Sequence, residues 1–154
     1  MTLGLHKVSR ADSFDADGYY RTGDEGEIDG DVIYFLGRLG DMIKTSGANV
    51  SPAEVERELV GIDGVGAAYV VAVDDAIRGQ AVGAAVIPEV GAELSAIEIR
   101  RALRARLSSY KVPSLVAFFE AGEIPVTPSY KIRKPVLAAM IRTRADADPV
   151  TRRG

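Results

Sequence analysis

The chain has 154 residues, of which 47% are hydrophobic, and its 22 acidic and 19 basic side chains give a formal net charge of -3. This size and apolar content predict one folded domain with short loose ends, and the interspersed charges offer no basic face for nucleic acid or an anionic membrane. The absence of cysteine from the sequence excludes disulfides, thiolate metal sites and a cysteine nucleophile, and is consistent with a reducing compartment.

The sequence has one histidine and only short apolar runs. His6 is the single histidine, which excludes a histidine-rich zinc site, and we expect no metal site in this chain. The first ten residues lack the apolar stretch of a secretory signal, and the longest apolar run, 67–73, is too short to span a bilayer. We therefore expect a soluble, cytoplasmic protein without a transmembrane segment.

The first third of the chain predicts a loop and then short strands. Residues 1–18 are polar and lack periodicity, which indicates a linker or a truncated remnant. Two β-prone runs follow on either side of Asp29-Gly30, a strong turn signal, and predict an antiparallel hairpin. A second pair of short strands is expected around MIKTSGANV.

The middle of the chain predicts a helix and two paired strands. Ser51 and Glu54 form the pattern of a capping box with Pro52 at the first helical position, which predicts a helix over 52–60. The apolar run GVGAAYVVAV predicts a strand buried on both faces, paired with AVGAAVIP.

A second capping-box pattern, at Ser95 and Glu98, begins an amphipathic helix. Its arginines are expected to form a solvated face: Arg100, Arg101 and Arg104. A short strand at LVAFF, a proline-restricted loop at EIPVTPSYKIRKP and a short helix over 136–141 complete the pattern.

These elements predict an α+β fold, a small sheet of about three strands flanked by helices and preceded by an N-terminal β-hairpin. The expected organisation is a linker or remnant at 1–18, one domain over 19–141 and a flexible tail at 142–154.

Three polar segments are unusual for connections in so small a domain: YYRTGDEG, GRLGDMIKTSGANVSP and PVTPSYKIRK. In this order and spacing they resemble the C-terminal signatures of the adenylate-forming (acyl-CoA synthetase, AMP-binding) superfamily, from about Gly18 to Met140. The resemblance implies a C-terminal lid domain of the fatty acyl-CoA ligase type.

The resemblance assigns nucleotide contacts to the first two segments. Asp24 matches an aspartate that accepts hydrogen bonds from both ribose hydroxyls, a role that suits a carboxylate. Arg38 is placed in the ribose-phosphate region, where a guanidinium fork suits phosphate oxygens. The alternative is that Thr22-Gly23-Asp24 is a polar turn without a ligand.

The second segment also contains the family's hinge position, which is Gly40 here, whereas many relatives have aspartate or lysine. The resemblance implies that Asp41 and Lys44 face the active site during thioester formation, and that the pantetheine arm of CoA passes close to the backbone at Gly47. The alternative is a hairpin with a glycine turn and solvated charges.

The third segment contains Lys131, which matches the lysine that stabilises negative charge at the α-phosphate and acyl oxygen during adenylation, and is therefore the catalytic candidate. The preceding residue is commonly glycine in the family and is Tyr130 here. The alternative is a surface lysine among neighbouring basic residues.

The family's phosphate loop and acyl pocket lie in a larger N-terminal adenylation domain, and no such stretch occurs in this sequence. The intact enzyme implied uses ATP/AMP, CoA and Mg²⁺, none of which this chain holds alone, and acts on a carboxylic acid that the sequence does not define. We expect a truncated reading frame, an excised domain or a natural short protein that is inactive without its N-terminal partner. The alternatives are a non-catalytic binding or regulatory remnant that docks to a separate adenylating subunit, and the end of a peptide-synthetase adenylation domain.

Overall fold

The computed structural model describes residues 9–147, so that His6 and residues 148–154 lie outside the described range. The described chain forms two compact units, one ending at Gly40 and the other beginning at Asp41. Each unit is described by itself below. Residues 19–40, which the sequence analysis assigned to the same domain as 41–141, belong to the first unit.

The first unit is built around the predicted hairpin, which the structure confirms. A one-turn helix, α1 (Arg10–Ser13), lies within the segment that was expected to be a linker. Strands β1 (Asp24–Asp29) and β2 (Val32–Arg38) pair antiparallel. Gly30 lies in the tight turn between them with φ +58°, a left-handed conformation that favours glycine.

The hairpin exposes large apolar side chains. Ile28 is 72% exposed, Ile33 74% and Phe35 62%. Two strands alone cannot cover such side chains. The hairpin therefore presents an exposed apolar surface.

The second unit contains the remaining strands and helices. In chain order they are β3 (Ile43–Thr45), β4 (Ala48–Val50), α2 (Pro52–Val60), β5 (Val65–Asp75), β6 (Gly79–Pro88), α3 (Ala96–Arg104), β7 (Leu115–Phe118) and α4 (Lys134–Ala147). This mixture of segregated helices and a mainly antiparallel sheet confirms the α+β class.

The sheet of this unit has five strands instead of about three. Strand β6 pairs antiparallel with β5 along its whole length and parallel with β7. The short β3–β4 hairpin joins the same sheet through a single pairing, Thr45 opposite Gly79. The count was underestimated because this contact links residues far apart in sequence.

Helices cover both faces of the sheet. Successive residues of a strand point to opposite faces, so neighbouring valines enter different cores: Val70 packs with α2 and α3, and Val71 packs with α4. Ile99 and Leu103 of α3 and Leu137 and Ile141 of α4 are fully buried. None of the helices within residues 9–147 is long and apolar enough to cross a membrane.

Both predicted helix starts are confirmed. Ser51 Oγ accepts a hydrogen bond from Glu54 N at 3.4 Å, while the Glu54 carboxylate accepts two from Lys111 Nζ, at 2.6 and 2.8 Å. At the second start Ser95 and Glu98 form the complete capping box. The Ser95 hydroxyl lowers the pKa of the Glu98 carboxyl by bonding to its charged form.

The last helix is longer than predicted. It was expected over 136–141, with a flexible tail from 142, but α4 continues to Ala147. The reason is a tertiary contact: Arg144 Nη1 donates to the Phe118 carbonyl and its guanidinium pairs with Glu123 and covers the Phe119 ring. This pairing lowers the pKa of Glu123 to about 2.

Glu56 gives a stability prediction with a defined pH dependence. Its half-buried carboxylate accepts a hydrogen bond from Val70 N at 2.8 Å, and burial raises its pKa above the ordinary value despite that bond and the nearby Lys134 ammonium. Because the pKa is raised on folding, ionisation of Glu56 opposes folding at neutral pH. We expect Glu56→Gln, which keeps an acceptor oxygen, to raise the thermal midpoint at pH 7 by about 1–3 °C.

The same gain should vanish below about pH 4, where the carboxyl is protonated in both the folded and the unfolded chain. Glu56→Ala is the matched contrast, because it leaves the Val70 amide without its partner and should lower the midpoint at both pH values. Thermal melts at pH 7 and pH 3.5 test this. If the Gln variant were less stable than wild type at pH 7, the cost of burying the Glu56 carboxylate would not exceed the gain from its hydrogen bond to Val70 and its attraction to Lys134.

Candidate functional site

The hairpin of the first unit places Asp24 and Arg38 side by side. They are cross-strand partners, and Arg38 Nε donates to Asp24 Oδ1 at 2.9 Å. Both side chains remain accessible, with Arg38 67% and Asp24 33% exposed. The pair presents a carboxylate and a guanidinium together at the open end of the hairpin, a combination that can bind a diol and a phosphate.

A β-bulge sets this pairing. The register near the turn pairs Asp29 with Val32, and continued without interruption it would place Gly37 opposite Asp24. The register shifts by one residue between Glu25 and Gly26, which brings Arg38 into that place. Because a one-residue slip sends side chains to the other face, the bulge decides that the two charges meet.

The boundary between the two compact units falls directly after Gly40, the position predicted as the hinge. Gly40 is the middle residue of a single 3₁₀ turn, Leu39–Asp41. A Cβ added at Gly40 would meet no other atom within 4 Å, so packing does not require glycine there. Its role as a hinge stays a prediction.

The β3–β4 hairpin holds Lys44 and Gly47. Ser46 and Gly47 form its two-residue turn, with φ +50° and +83°, a conformation in which both residues are left-handed. Lys44 lies on β3 with an exposed side chain, and its backbone N–H donates to Gln80 Oε1 at 2.8 Å. No atom lies within 4 Å of a Cβ built on Gly47, so the space in front of the turn is open.

A cavity of about 340 Å³ lies beside this turn, lined in part by Thr45 and Ser46. Three arginines contribute to its wall, Arg78, Arg100 and Arg104. A basic cavity of this kind suits an anionic ligand, because guanidinium groups bind phosphate oxygens through paired hydrogen bonds.

The expectation that Arg100 lies on a solvated face is wrong. The side chain is 3% exposed, and Arg100 Nη1 donates to the Ser114 carbonyl at 3.5 Å. Burial and, to a smaller extent, Arg104 lower its pKa. The signal was present in the sequence, because Arg100 lies four residues after Ala96 and one after Ile99, on the buried stripe of α3.

Lys131 lies in a closed turn before α4. Val126 and Ile132 form an antiparallel bridge, and Thr127 N donates to the Lys131 carbonyl at 2.8 Å. The Lys131 side chain is exposed, and among residues 9–147 its ammonium has no ion pair or hydrogen bond. The backbone is therefore ordered while the charged end is available to a ligand.

Tyr130 has a backbone conformation that glycine adopts more readily than other residues. Its φ is +59°, one of only two left-handed non-glycine residues in the described chain. Within this turn Tyr130 N donates to the Thr127 carbonyl at 2.9 Å, so the turn closes although the residue is not glycine. The departure at Tyr130 leaves the turn intact.

The structure thus brings some candidates together and leaves others separate. Asp24 and Arg38 form one pair in the first unit, and Lys44 and Gly47 share one hairpin in the second. Lys131 lies in a different turn of that unit. Among residues 9–147 no group of three acidic or histidine side chains could hold a metal ion.

The sequence did not predict an ion pair of the second unit that joins Asp41 and Lys134. Lys134 Nζ lies 2.7 Å from Asp41 Oδ1. Lys134 was read as one of several basic neighbours of Lys131, and no local pattern connects it to a residue 93 positions earlier.

Comparison with known proteins defines the family. The family model for the AMP-binding enzyme C-terminal domain matches residues 54–131, about half of the chain. The chain belongs to this family. The match ends at Lys131, and it confirms the resemblance inferred from the three polar segments.

Curated relatives are CoA ligases. The chain is 42% identical over 119 residues to feruloyl-CoA synthase from an Amycolatopsis species, which covers 77% of this chain and 24% of that enzyme. It is also 42% identical over 127 residues to the long-chain-fatty-acid–CoA ligase FadD13 of Mycobacterium tuberculosis H37Rv, which covers 82% of this chain and 24% of the ligase. The chain thus spans about a quarter of the length of these relatives.

Solved structures agree in fold. A Mycobacterium tuberculosis fatty acyl CoA synthetase matches with a TM-score of 0.65 and 41% identity, over 84% of this chain and 25% of that one. ATP-bound MatB from Rhodopseudomonas palustris matches with a TM-score of 0.72 and 32% identity, over the same shares.

Proposed function

We propose that this chain is the C-terminal lid of an ATP-dependent acyl-CoA synthetase. The intact enzyme joins a carboxylate to ATP, which gives acyl-AMP and pyrophosphate, and the thiol of CoA then displaces AMP to give the thioester. The observation that carries the proposal is the match of the C-terminal domain family over 54–131 together with relatives that are CoA ligases.

In the adenylation step Lys131 supplies the positive charge. As the carboxylate attacks the α-phosphorus and pyrophosphate leaves, negative charge develops on the transferring group, and an ammonium on a long stem stabilises it. Its exposed side chain on a closed turn supports this role. Asp24 and Arg38 hold the ribose and phosphate of the adenylate, since their ion pair can open to accept a diol and an anion.

In the thioester step the lid rotates about Gly40 and presents the β3–β4 hairpin. The open space at Gly47 leaves room for the pantetheine arm beside the backbone. Lys44 and the cavity lined by Arg78 and Arg104 offer cations to the phosphates of CoA. The coincidence of Gly40 with the boundary between the two units supports its hinge role.

The rest of the site belongs to an N-terminal adenylation domain. The exposed apolar hairpin of the first unit supports this partner, because Ile28, Ile33 and Phe35 need a covering surface. We propose that Mg²⁺ enters with ATP in that domain, bound through the phosphates of the nucleotide. The pocket for the acyl group belongs to that domain as well. We propose that the substrate is a fatty or aromatic carboxylic acid and that the enzyme acts in the cytoplasm.

Two other functions remain as alternatives. A regulatory remnant would dock to a separate adenylating subunit without supplying catalytic groups. The end of a peptide-synthetase adenylation domain would serve a carrier protein in place of CoA. The CoA-ligase relatives favour the acyl-CoA synthetase over both.

A hybrid enzyme tests the proposal. We define it as the N-terminal part of the related feruloyl-CoA synthase, up to the residue where that enzyme's similarity to this chain begins, followed by this chain. We expect the hybrid to form acyl-CoA from ATP, acid and CoA, and the N-terminal part alone to form far less. A folded hybrid that makes acyl-AMP and acyl-CoA no faster than the N-terminal part alone would favour the regulatory remnant.

The chain alone should lack this activity. We expect no carboxylate-dependent ATP–pyrophosphate exchange by the purified chain and only weak binding of AMP, because few contacts oppose the cost of association. Isothermal titration calorimetry of the chain with AMP measures this affinity. A dissociation constant below about 1 µM would mean that a complete nucleotide pocket exists within this chain.

A further inference from the structure

The ion pair between Asp41 and Lys134 joins two functional parts of the second unit. Asp41 is the first residue after Gly40, and Lys134 is the first residue of α4, three positions after Lys131. Their charged atoms are 2.7 Å apart, and the side chains are 49% and 47% exposed. The pair therefore connects the start of α4 with the residue that follows the proposed hinge.

The short segment between Lys131 and Lys134 links the position of the Lys131 turn to the start of α4. Thr127 N donates to the Lys131 carbonyl, and Arg133 N donates to the Pro125 carbonyl, each at 2.8 Å. These bonds on either side of the bridge make the turn and the start of α4 one small hairpin. A shift of Lys134 therefore moves the backbone that carries Lys131.

Stability does not explain the pair. Leu137 and Ile141 are fully buried and hold α4 on the sheet, and Arg144 anchors its far end through Glu123. An ion pair as exposed as Asp41–Lys134 contributes only about 0–1 kcal/mol to folding. The formation of α4 therefore does not depend on this pair.

We propose that Lys134 is a positioning residue for adenylation, which through Asp41 sets where the Lys131 turn lies relative to the hinge. The proposal rests on the proposed function of Lys131. Rotation of the lid delivers Lys131 to the reacting phosphate, and a lysine displaced by about 1 Å at that point loses much of its effect on the rate. The ion pair makes the turn and the segment after Gly40 move as one body.

Lys134 also affects the carboxyl group of Glu56. Burial raises the pKa of that carboxyl, and the nearby Lys134 ammonium lowers it in part. Asp41→Asn tests the pair without changing Glu56, and Lys134→Met removes the charge while keeping the apolar stem. Arg101→Ala, an exposed arginine of α3, is the matched control for loss of one surface cation.

In the hybrid enzyme we expect Asp41→Asn and Lys134→Met each to lower the kcat of adenylation about 5- to 20-fold with little change in the KM for ATP. Lys134→Arg should keep most of the rate, and the reversed pair Asp41→Lys with Lys134→Asp should recover part of it. Lys134→Met should not slow thioester formation from supplied acyl-AMP, and Arg101→Ala should change neither half-reaction. Unchanged adenylation in both single variants, or no recovery in the reversed pair, would overturn the inference.

Two further measurements separate this inference from the proposed function. If Lys131→Ala leaves adenylation unchanged, the proposed function fails; if it slows adenylation while Lys134→Met does not, only the inference fails. In the chain alone, amide hydrogen exchange across residues 126–132 should be faster in Lys134→Met than in wild type. Equal exchange in the two proteins would show that the pair does not hold the turn.

Discussion

Replacement of Lys131 by alanine should slow the adenylation half-reaction of the hybrid enzyme by at least ~10²-fold, the scale expected when one preorganised group that stabilises developing charge is removed. The loss should appear in kcat, because the ammonium meets charge that develops only as pyrophosphate leaves. Carboxylate-dependent pyrophosphate exchange measures this step directly.

Folding should be almost unaffected by the same change. Because Lys131 is exposed, its truncation opens no core cavity and should alter stability by less than about 0.5 kcal/mol. Lys131→Arg keeps the charge but not the compact ammonium, and we expect it to recover only part of the rate. Near wild-type exchange in the folded alanine variant would contradict the assigned role.

Replacement of Gly40 by proline should have the opposite selectivity. We expect adenylation to be largely kept and thioester formation to fall by about 10- to 100-fold, because proline fixes φ at Gly40 and also restricts Leu39, the residue before it. Both residues border the division between the two units. A single-turnover reaction of acyl-AMP with CoA measures the affected step.

Gly40→Ala is the matched control. A Cβ at this position meets no other atom within 4 Å, so alanine adds no clash and leaves φ free over the allowed range. We expect both half-reactions to stay within about twofold of wild type. An equal loss of both half-reactions in the proline variant alone would indicate misfolding or a hinge at another residue.

Local signals in the sequence predicted much of the fold. The turn at Asp29-Gly30 and the capping box at Ser95 and Glu98 depend on residues a few positions apart, and both are present in the structure. Patterns of this kind express the preferences of the backbone itself. The same reasoning identified the buried strand around Val70.

Contacts between distant residues account for the errors. The β3–β4 hairpin enters the main sheet through Thr45 and Gly79, and α4 extends to Ala147 because Arg144 reaches Glu123. No local periodicity contains this information. Arg100 differs, because its spacing on α3 placed it on the buried stripe, and its charge led to the wrong interpretation.

The candidate site shows the same division. The motifs identified Asp24 and Arg38 separately, but only the bulge in the hairpin shows that they form a pair. The pair between Asp41 and Lys134 joins two motifs and could not be predicted from either.

The most direct test of one lid that serves two steps is to measure both half-reactions separately in the hybrid enzyme carrying either Lys131→Ala or Gly40→Pro. We predict a crossed pattern, in which the lysine variant loses adenylation but keeps thioester formation from supplied acyl-AMP, and the proline variant does the reverse. If the two variants slow the same half-reaction, or each slows both steps equally, the chain does not act as a lid that alternates between two poses.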